Sequence, residues 1–312
     1  MNVIYGIENY KHSNRPVCVA LGAFDGIHPG HAALIDGVVK KAAISGGESM
    51  VLTFHPHPRA FIKGRESFKL ILTRDEKLKI LEKYGIETVL IIEFDDRFAT
   101  MAPEEFCDKI LHEKLRASEV FAGFNFCFGA NRSGNAESLV KAGQKYDFKV
   151  NILAGLEISG FVVSSSKVRL LIETGAVEDV VKFLGRPYTL SGTVVHGDGL
   201  GRRLKIPTAN IKPGDEDKII PKAGVYIVEA TAGGENYKGL VNIGTRPTVY
   251  EKNSDIVTIE LHILNFNGDI YGKEAEVIFL KRIRDERRFT DFNALYSQIQ
   301  SDIKYALDHF GI

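Results

Sequence analysis

The sequence has no tryptophan, few cysteines and no excess of charge of either sign. The three cysteines form no Cys-x-x-Cys pair, which disfavours a disulfide framework or a structural zinc site and fits a reducing compartment. Lys and Arg number 40 and so do Asp and Glu, so the chain lacks the basic excess of broad nucleic-acid binders. No apolar run approaches the roughly 18 residues that a membrane span needs, and the first residues do not form a signal peptide. We therefore expect a cytoplasmic protein that binds neither nucleic acid nor membrane.

Apolar strands alternate with amphipathic helices in the first half of the 312-residue chain, whose length suggests two domains. This alternation predicts a Rossmann-like α/β domain, in which helices cover a parallel sheet and ligands bind beyond the carboxyl ends of the strands. The predicted strands are 17–21, 49–54, 88–94, 119–122 and 149–153, and the helices are 31–45, 74–84, 103–114 and 136–146.

Strand-like runs follow one another in the second half, with turns between them. They lie at 189–195, 224–231, 237–243, 256–264 and 274–281, and no helix is expected until one that Thr290 caps and Gly311 ends. This order predicts a small antiparallel β-barrel with a docked C-terminal helix. The change of pattern places the domain boundary near 183–187, which divides the chain into domains 1–184 and 185–312.

The segment 22–31 reads Gly-Ala-Phe-Asp-Gly-Ile-His-Pro-Gly-His and directly follows a buried strand. A helix N-terminus favours phosphate, and Gly22, Gly26 and Gly30 let a nucleotide approach the backbone. His28 and His31 can donate hydrogen bonds to phosphate oxygens as charge develops on them. The segment therefore predicts nucleotidyl transfer, in which a phosphate displaces pyrophosphate from ATP. Ordinary loop histidines are the alternative, and a zinc pair is disfavoured because no third ligand lies nearby.

Three further segments of the first half lie where strands end or helices begin. Phenylalanines alternate between glycines at 123–129, either as strand core or as a flat wall for a ring system with Asn125 as its polar partner. The serines at 164–166 could simply cap a helix, but with Lys167 and Arg169 they could bind the departing pyrophosphate. The prolines at 56 and 58 stiffen a turn beside the sheet, where His55 and His57 are weak metal candidates.

Polar residues of the second half suggest a phosphate site. The loop 196–204 is rich in glycine, including Gly199 and Gly201, and could cradle phosphates. Thr208 and Asn210 follow and offer the oxygen ligands that Mg²⁺ prefers, although Asn210 could instead cap a turn. Glu260 lies on a strand of period two, opposite the face of its apolar neighbours. It could point to solvent or act as a general base on a hydroxyl.

The ordered set of these motifs resembles the prokaryotic bifunctional riboflavin kinase/FMN adenylyltransferases, also called FAD synthetases, over essentially the whole chain. The first motif is the His-x-Gly-His turn at 28–31, called the HxGH turn below. It is followed by Gly-Phe-Asn-Phe-x-Phe-Gly, Ser-Ser-Ser-x-x-Arg, Leu-Gly-Arg-Pro-Tyr, Gly-x-Gly-Arg-x-Leu-x-x-Pro-Thr-Ala-Asn, Asn-Ile-Gly-Thr-Arg-Pro-Thr and Glu-Leu-His-Ile-Leu. The chain departs from the family pattern at Lys205, where glycine is usual, and at Ser166, where threonine is usual.

The resemblance implies two ATP-dependent steps. The barrel would phosphorylate riboflavin to FMN, with Thr208 and Asn210 on Mg-ATP, Gly199 and Gly201 on the nucleotide, and Glu260 as the base. The first domain would then join FMN to AMP, giving FAD and pyrophosphate. His28, His31 and Arg169 would be catalytic there. The nucleotide contacts of the adenylyltransferase would be Gly22, Phe24, Asp25, Gly26, His28, His31, Asn125, Ser164, Ser166 and Arg169. The wall against which the flavin ring packs would be Pro56, Pro58, Phe126 and Phe128.

The resemblance leaves alternatives for the function. One is a monofunctional FMN adenylyltransferase whose barrel binds flavin without activity, which Glu260 and the Pro-Thr-Ala-Asn run oppose. A flavin-sensing module would not need His28, His31 and Arg169 together, and another HxGH enzyme would not carry the barrel motifs. The expected partners are riboflavin, FMN, FAD and ATP, and the sequence makes no prediction of oligomeric state.

Overall fold

The computed structural model describes residues 1–196, 206–247, 255–287 and 289–312. The chain divides into two compact units, Met1–Ser165 and Ser166–Ile312. Gly199, Gly201 and Lys205 lie outside the described residues, so their predicted roles stay predictions. Within the part of the chain that the structure describes, no helix has the length and apolarity needed to cross a bilayer.

The first unit is built on a six-stranded sheet whose paired strands all run parallel, as predicted. The strand order is β1-β4-β3-β2-β5-β6. The strands are β1 (Asn2–Tyr5), β2 (Val17–Leu21), β3 (Glu48–His55), β4 (Thr88–Glu93), β5 (Ala117–Gly123) and β6 (Lys149–Leu153), followed by a small hairpin of β7 (Glu157–Ile158) and β8 (Phe161–Val162).

Helices connect these strands, as the alternating pattern predicted. Each begins with a proline or with a first turn capped by a side chain, which suits the unpaired N–H groups of a helix start. They are α1 (Pro29–Ser45), α2 (Pro58–Lys63), α3 (Arg74–Lys83), α4 (Asp96–Thr100), α5 (Pro103–Glu105), which continues as π-helical turns at Phe106–Lys114, and α6 (Ala136–Tyr146).

Strand β2 lies at the centre of the unit because both of its faces are apolar. Val17, Val19 and Leu21 belong to the hydrophobic core on one side of the sheet, and Cys18 and Ala20 belong to the core on the other side. The chain leaves β2 for β3 on one flank, whereas β5 pairs with its other flank. The strand order therefore reverses between β2 and β5, where open α/β sheets bind their ligands.

The second unit contains a closed antiparallel barrel of order β10-β13-β12-β11-β14-β9 and a C-terminal helix, as predicted. Strand β10 was missed by the sequence analysis, and the last helix is capped by Asp291, whose Oδ1 accepts from Ala294 N (2.9 Å), and not by Thr290. The elements are α7 (Ser165–Thr174, whose first residue closes the first unit), α8 (Val177–Leu184), β9 (Tyr188–Val195), β10 (Ala209–Pro213), β11 (Gly224–Ala232), β12 (Glu235–Pro247), β13 (Asp255–Ile263), β14 (Glu274–Arg284) and α9 (Phe292–Phe310).

Helix α9 packs on the outer face of the barrel through the C-terminal half of its apolar stripe. Ile303, Leu307 and Phe310 pack with Val225 and Leu240 of the barrel wall. Two charged residues add a second attachment: Arg284 Nη2 of β14 donates to Asp302 Oδ2 of α9 at 2.7 Å, and both side chains are largely buried. The N-terminal half of the stripe does not belong to this core and lines a cavity instead.

Candidate functional sites

The loop between β2 and α1 carries the predicted HxGH residues at the strand-order reversal. Asp25 is 2% exposed, and its Oδ1 accepts from the backbone N–H groups of Ile71 and Leu72, at 2.9 and 3.2 Å. Its carbonyl oxygen accepts from Ser165 Oγ at 2.7 Å. The predicted nucleotide contact Asp25 thus also fastens the loop to two other segments of the first unit. Gly22, Phe24, Gly26 and the two histidines are brought together around it.

The imidazole rings of His28 and His31 stack, with centroids 3.7 Å apart and planes 13° from parallel. His28 is the N-cap of α1, and its Nδ1 accepts from His31 N at 3.3 Å, so the neutral ring holds its proton on Nε2. Gly30 permits this arrangement because a Cβ there would lie 3.3 Å from the His28 ring. Both side chains therefore sit at a helix N-terminus, as a phosphate site requires.

Burial lowers the pKa of His31 well below its ordinary value, and the charges of His28 and Lys77 lower it further. The ring is therefore neutral at physiological pH and can donate one N–H hydrogen bond. Its Nδ1 is buried and, among the residues that the structure describes, has no hydrogen-bond partner. A buried polar atom without a partner is rare in folded proteins and is consistent with a site that a ligand completes.

The remaining residues predicted for the adenylyl site lie on other elements. Asn125 is exposed in the turn that follows β5, the neighbour of β2. Ser164 directly precedes α7 in the first unit, whereas Ser166 and Arg169 lie on α7 in the second, where Arg169 is 9% exposed. Asn125 thus lies at the surface, the two serines lie at a helix start, and Arg169 is buried on the helix; their nucleotide contacts stay predictions.

The residues predicted as a flavin wall differ in exposure. Phe128 is 7% exposed and packs against Phe106 and Phe126, with centroids 5.3 and 5.5 Å apart, which favours the core interpretation for this ring. Phe124 presents an accessible ring in the same segment, at 48% exposure. Pro56 follows β3 and Pro58 begins α2.

The histidines beside the two prolines have local structural partners. His57 Nδ1 accepts from Arg59 N at 3.1 Å as the cap of α2, and its ring stacks on Phe68 at 4.5 Å. Within the described residues, no group of three His, Cys, Asp or Glu side chains could hold a metal ion.

Three polar residues form a row across neighbouring strands of the barrel. Glu260 of β13 is paired in register with Asn210 of β10 on one side and with Asn242 of β12 on the other. Directly paired residues point to the same face of a sheet. Ile259 and Leu261 on either side of Glu260 are buried, whereas Glu260 is half-buried, so the predicted alternation is confirmed.

Asn242 and Glu260 of this row border a cavity of about 530 Å³ in the second unit. Thr208, Asn242 and Glu260 line one side, and Phe292 and Leu295 of α9 line another. The volume falls within the range of small-molecule sites, roughly 300–1,000 Å³, which bury most of their ligand. The cavity therefore joins a carboxylate, a hydroxyl and an amide to an apolar space suited to a flat ring system.

Several residues at this cavity were missed by the sequence analysis as site residues. Some lie on β12 and β13, and others lie in the segment between β14 and α9, which has no catalytic spacing of its own. Glu286 lies there, and its Oε2 accepts from Thr245 N at 3.4 Å. His262 lies two residues after Glu260 on β13, and its Nδ1 lies 2.9 Å from the Pro207 carbonyl oxygen, next to Thr208. The missed lining residues include Asn242, Thr258, His262, Glu286, Arg287 and Phe289.

Each of the two parts of the chain matches the model of a known protein family. The model described as FAD synthetase matches residues 10–167, and the model described as riboflavin kinase matches residues 184–310. Curated relatives include the bifunctional riboflavin kinase/FMN adenylyltransferases of Escherichia coli K12, 36% identical over 100% of this chain and 99% of the relative, and of Bacillus subtilis 168, 35% identical over 96% and 95%.

One solved structure covers nearly the same length. It is named as a macrolide-efflux protein from Streptococcus pneumoniae, is 30% identical, and superposes with a TM-score of 0.88 over 98% of this chain and 99% of that chain. The fold of the whole chain is therefore shared with a known structure. Both family models and the full-length relatives show that this chain belongs to the family of bifunctional riboflavin kinase/FMN adenylyltransferases.

Proposed function

We propose that the barrel cavity binds riboflavin and phosphorylates it with ATP, and that the HxGH loop joins the resulting FMN to AMP. The observation that carries the kinase assignment is the row of Asn210, Glu260 and Asn242, paired in register, of which Glu260 and Asn242 line the cavity of about 530 Å³. The cavity sets the Glu260 carboxylate beside the apolar side chains of Phe292 and Leu295.

Glu260 is the proposed base of the kinase step. Its carboxylate accepts the proton of the terminal ribityl hydroxyl, whose oxygen attacks the γ-phosphorus of ATP while the bond to ADP breaks. Thr208 and Asn210 supply the hydroxyl and amide oxygens that would hold Mg²⁺, and these hard donors fit that ion. Bound there with ATP, the ion would neutralise phosphate charge. Phe289 and Phe292 line the cavity and offer rings to the flavin.

His28 and His31 are the proposed phosphate ligands of the adenylyl transfer. A phosphate oxygen of FMN attacks the α-phosphorus of ATP, and the bond to pyrophosphate breaks. Negative charge grows on the oxygens of that phosphorus, and the N–H groups of the stacked rings and of the α1 start donate to them. Asn125, Ser164 and Arg169 stay the proposed further nucleotide contacts.

We place the boundary of the two catalytic domains at 184/185. Helix α8 ends at Leu184 with Gly185 as its left-handed cap, and the riboflavin kinase model begins at residue 184. By contacts alone, α8 and most of α7 group with the barrel. We also propose a cytoplasmic location, which agrees with three free cysteines and with substrates that are small soluble molecules.

A chromatographic time course tests both assignments together. The purified chain is incubated with riboflavin, ATP and Mg²⁺, and riboflavin, FMN and FAD are resolved. FAD that appears after FMN supports both activities in one chain. FMN alone contradicts the assignment of the HxGH loop. FAD from added FMN, but no product from riboflavin, contradicts the kinase assignment and supports a monofunctional adenylyltransferase, with Lys205 as the first residue to replace by glycine.

A further inference from the structure

The HxGH loop has a backbone that needs support from outside. Phe24 and Ile27 have φ values of 50° and 42°, and Gly26 between them has φ of 93°. Non-glycine residues at positive φ cost about 1–3 kcal/mol each and persist only where the surroundings hold them. The loop that presents His28 and His31 is therefore expected to depend on the contacts that fix its backbone.

A lysine from another element makes one of these contacts. Lys77 lies on α3, and its Nζ donates to the carbonyl oxygen of Ala23 at 2.8 Å. Thr53 Oγ1 of β3 donates to the same oxygen at 3.2 Å. The peptide bond that leads into Phe24 is thus held by two side chains, while the residues just before α3 hold the Asp25 carboxylate.

The environment of Lys77 is unusual for a lysine. Burial lowers its pKa to about 8, and the nearby Asp25 carboxylate opposes that shift. The same ammonium group acts on His31, whose pKa it lowers. His55, His57 and Arg74 line a small cavity together with Lys77. Lys77 is half-buried, and a lysine ammonium group that is partly withdrawn from water costs free energy to keep charged, which argues for a role beyond solubility.

We propose that Lys77 is a positioning residue for adenylyl transfer, whose ammonium group holds the Ala23 carbonyl so that His28 and His31 meet the reacting phosphate. The inference rests on the proposed function of the HxGH loop. Lys77 itself touches neither histidine ring by a described hydrogen bond; it acts through the loop backbone and through its charge.

The test compares Lys77→Met, which keeps the length and removes donors and charge, with Lys77→Arg, which keeps both. Lys79→Met is the matched control, since Lys79 is exposed on the same helix. The assay measures kcat and KM for FAD formation from FMN and ATP. Lys77→Met should lower kcat by up to about 100-fold, the effect of a roughly 1 Å misplacement of reacting groups. KM should change little, Lys77→Arg should recover most of the turnover, and Lys79→Met should match the unsubstituted chain.

FMN formation from riboflavin in the same preparations serves as an internal control for the integrity of the chain, and it should not change. Unaltered kcat in Lys77→Met, a rise in KM alone, or an equal loss of both activities would overturn the inference. If Lys77→Met does not fold, Thr53→Val removes the other donor to Ala23 and must lower kcat in the same direction; an unchanged kcat overturns the inference as well. Failure of the unsubstituted chain to make FAD overturns the proposed function itself, which separates the two results.

Discussion

The ion pair between Arg284 and Asp302 should attach α9 to the barrel and so maintain the riboflavin cavity. The guanidinium donates from Nε and Nη2 to Asp302 Oδ2 at 3.0 and 2.7 Å, and Gln298 Nε2 donates to Oδ1 at 2.9 Å. The side chains of Arg284 and Asp302 are only 13% and 5% exposed. Asp302→Ala would leave a largely buried guanidinium without its carboxylate.

The expected loss follows from this geometry. Removing one partner of a buried pair costs about 3–5 kcal/mol. Arg284 keeps the Asp285 carbonyl as an acceptor at 3.0 Å, so the lower limit of that range applies. A loss of about 3 kcal/mol lowers the unfolding midpoint of a domain of this size by roughly 6–12 °C. Both residues also line the cavity, so KM for riboflavin should rise.

Thermal unfolding and the two activity assays check this prediction together. Asp308→Ala is the matched control, because Asp308 is exposed on the same helix and its loss should change stability by less than about 0.5 kcal/mol. FAD formation from supplied FMN should not change below the new midpoint. A shift no larger than that of the control would refute the reasoning, and so would a parallel loss of adenylyl transfer.

Three further results are expected. Glu260→Gln should reduce FMN formation about 10²- to 10⁴-fold, the usual contribution of a general base, while FAD formation from supplied FMN persists; loss of both would contradict independent sites. His28→Ala with His31→Ala should leave the kinase active and make FMN accumulate, and undiminished FAD production would contradict the role of the turn. Because the pKa of His31 is depressed in the folded chain, the unfolded chain takes up the proton first as the pH falls. The contribution of neutral His31 to the free energy of unfolding is therefore present above a pH of about 6.5 and is lost as the pH falls below it. The denaturant midpoint of the unsubstituted chain should fall more steeply on acidification than that of His31→Gln.

The alternation of strands and helices predicted the α/β unit well because burial on both faces leaves a direct mark on the sequence. The residues of β2 are all buried, and the prediction of its bounds, Val17–Leu21, is confirmed. The bounds of α6 and β6 are confirmed for the same reason: their apolar spacing matches the helix and strand periods. Strand β10 was missed because Asn210 and the nearby prolines are typical of turns, and pairing with β9 and β13 overrides that local preference.

The candidate sites were predictable only where their residues lie close together in the chain. His28 and His31 are three residues apart, so one helix start predicts their common position. The sequence around Lys77 is typical of an exposed position on a charged helix. Its contact with Ala23 could not be predicted, because the two residues lie far apart in sequence. Glu286 likewise lies in a segment without a recognisable pattern, and only folding brings it beside Thr245.

The sequence by itself therefore determined the layered first unit, the barrel with its helix, and the chemical types of the residues at each strand end, because helix and strand periods are local properties of the chain. The tertiary structure alone decided that Asn210, Glu260 and Asn242 form one row, that the first half of α9 borders a cavity while its second half packs, and that Lys77 supports the HxGH loop. These three features depend on strand register and on contacts between segments that lie far apart in the chain. Register and such contacts are set by which surfaces become buried on folding, so no local sequence pattern predicts them.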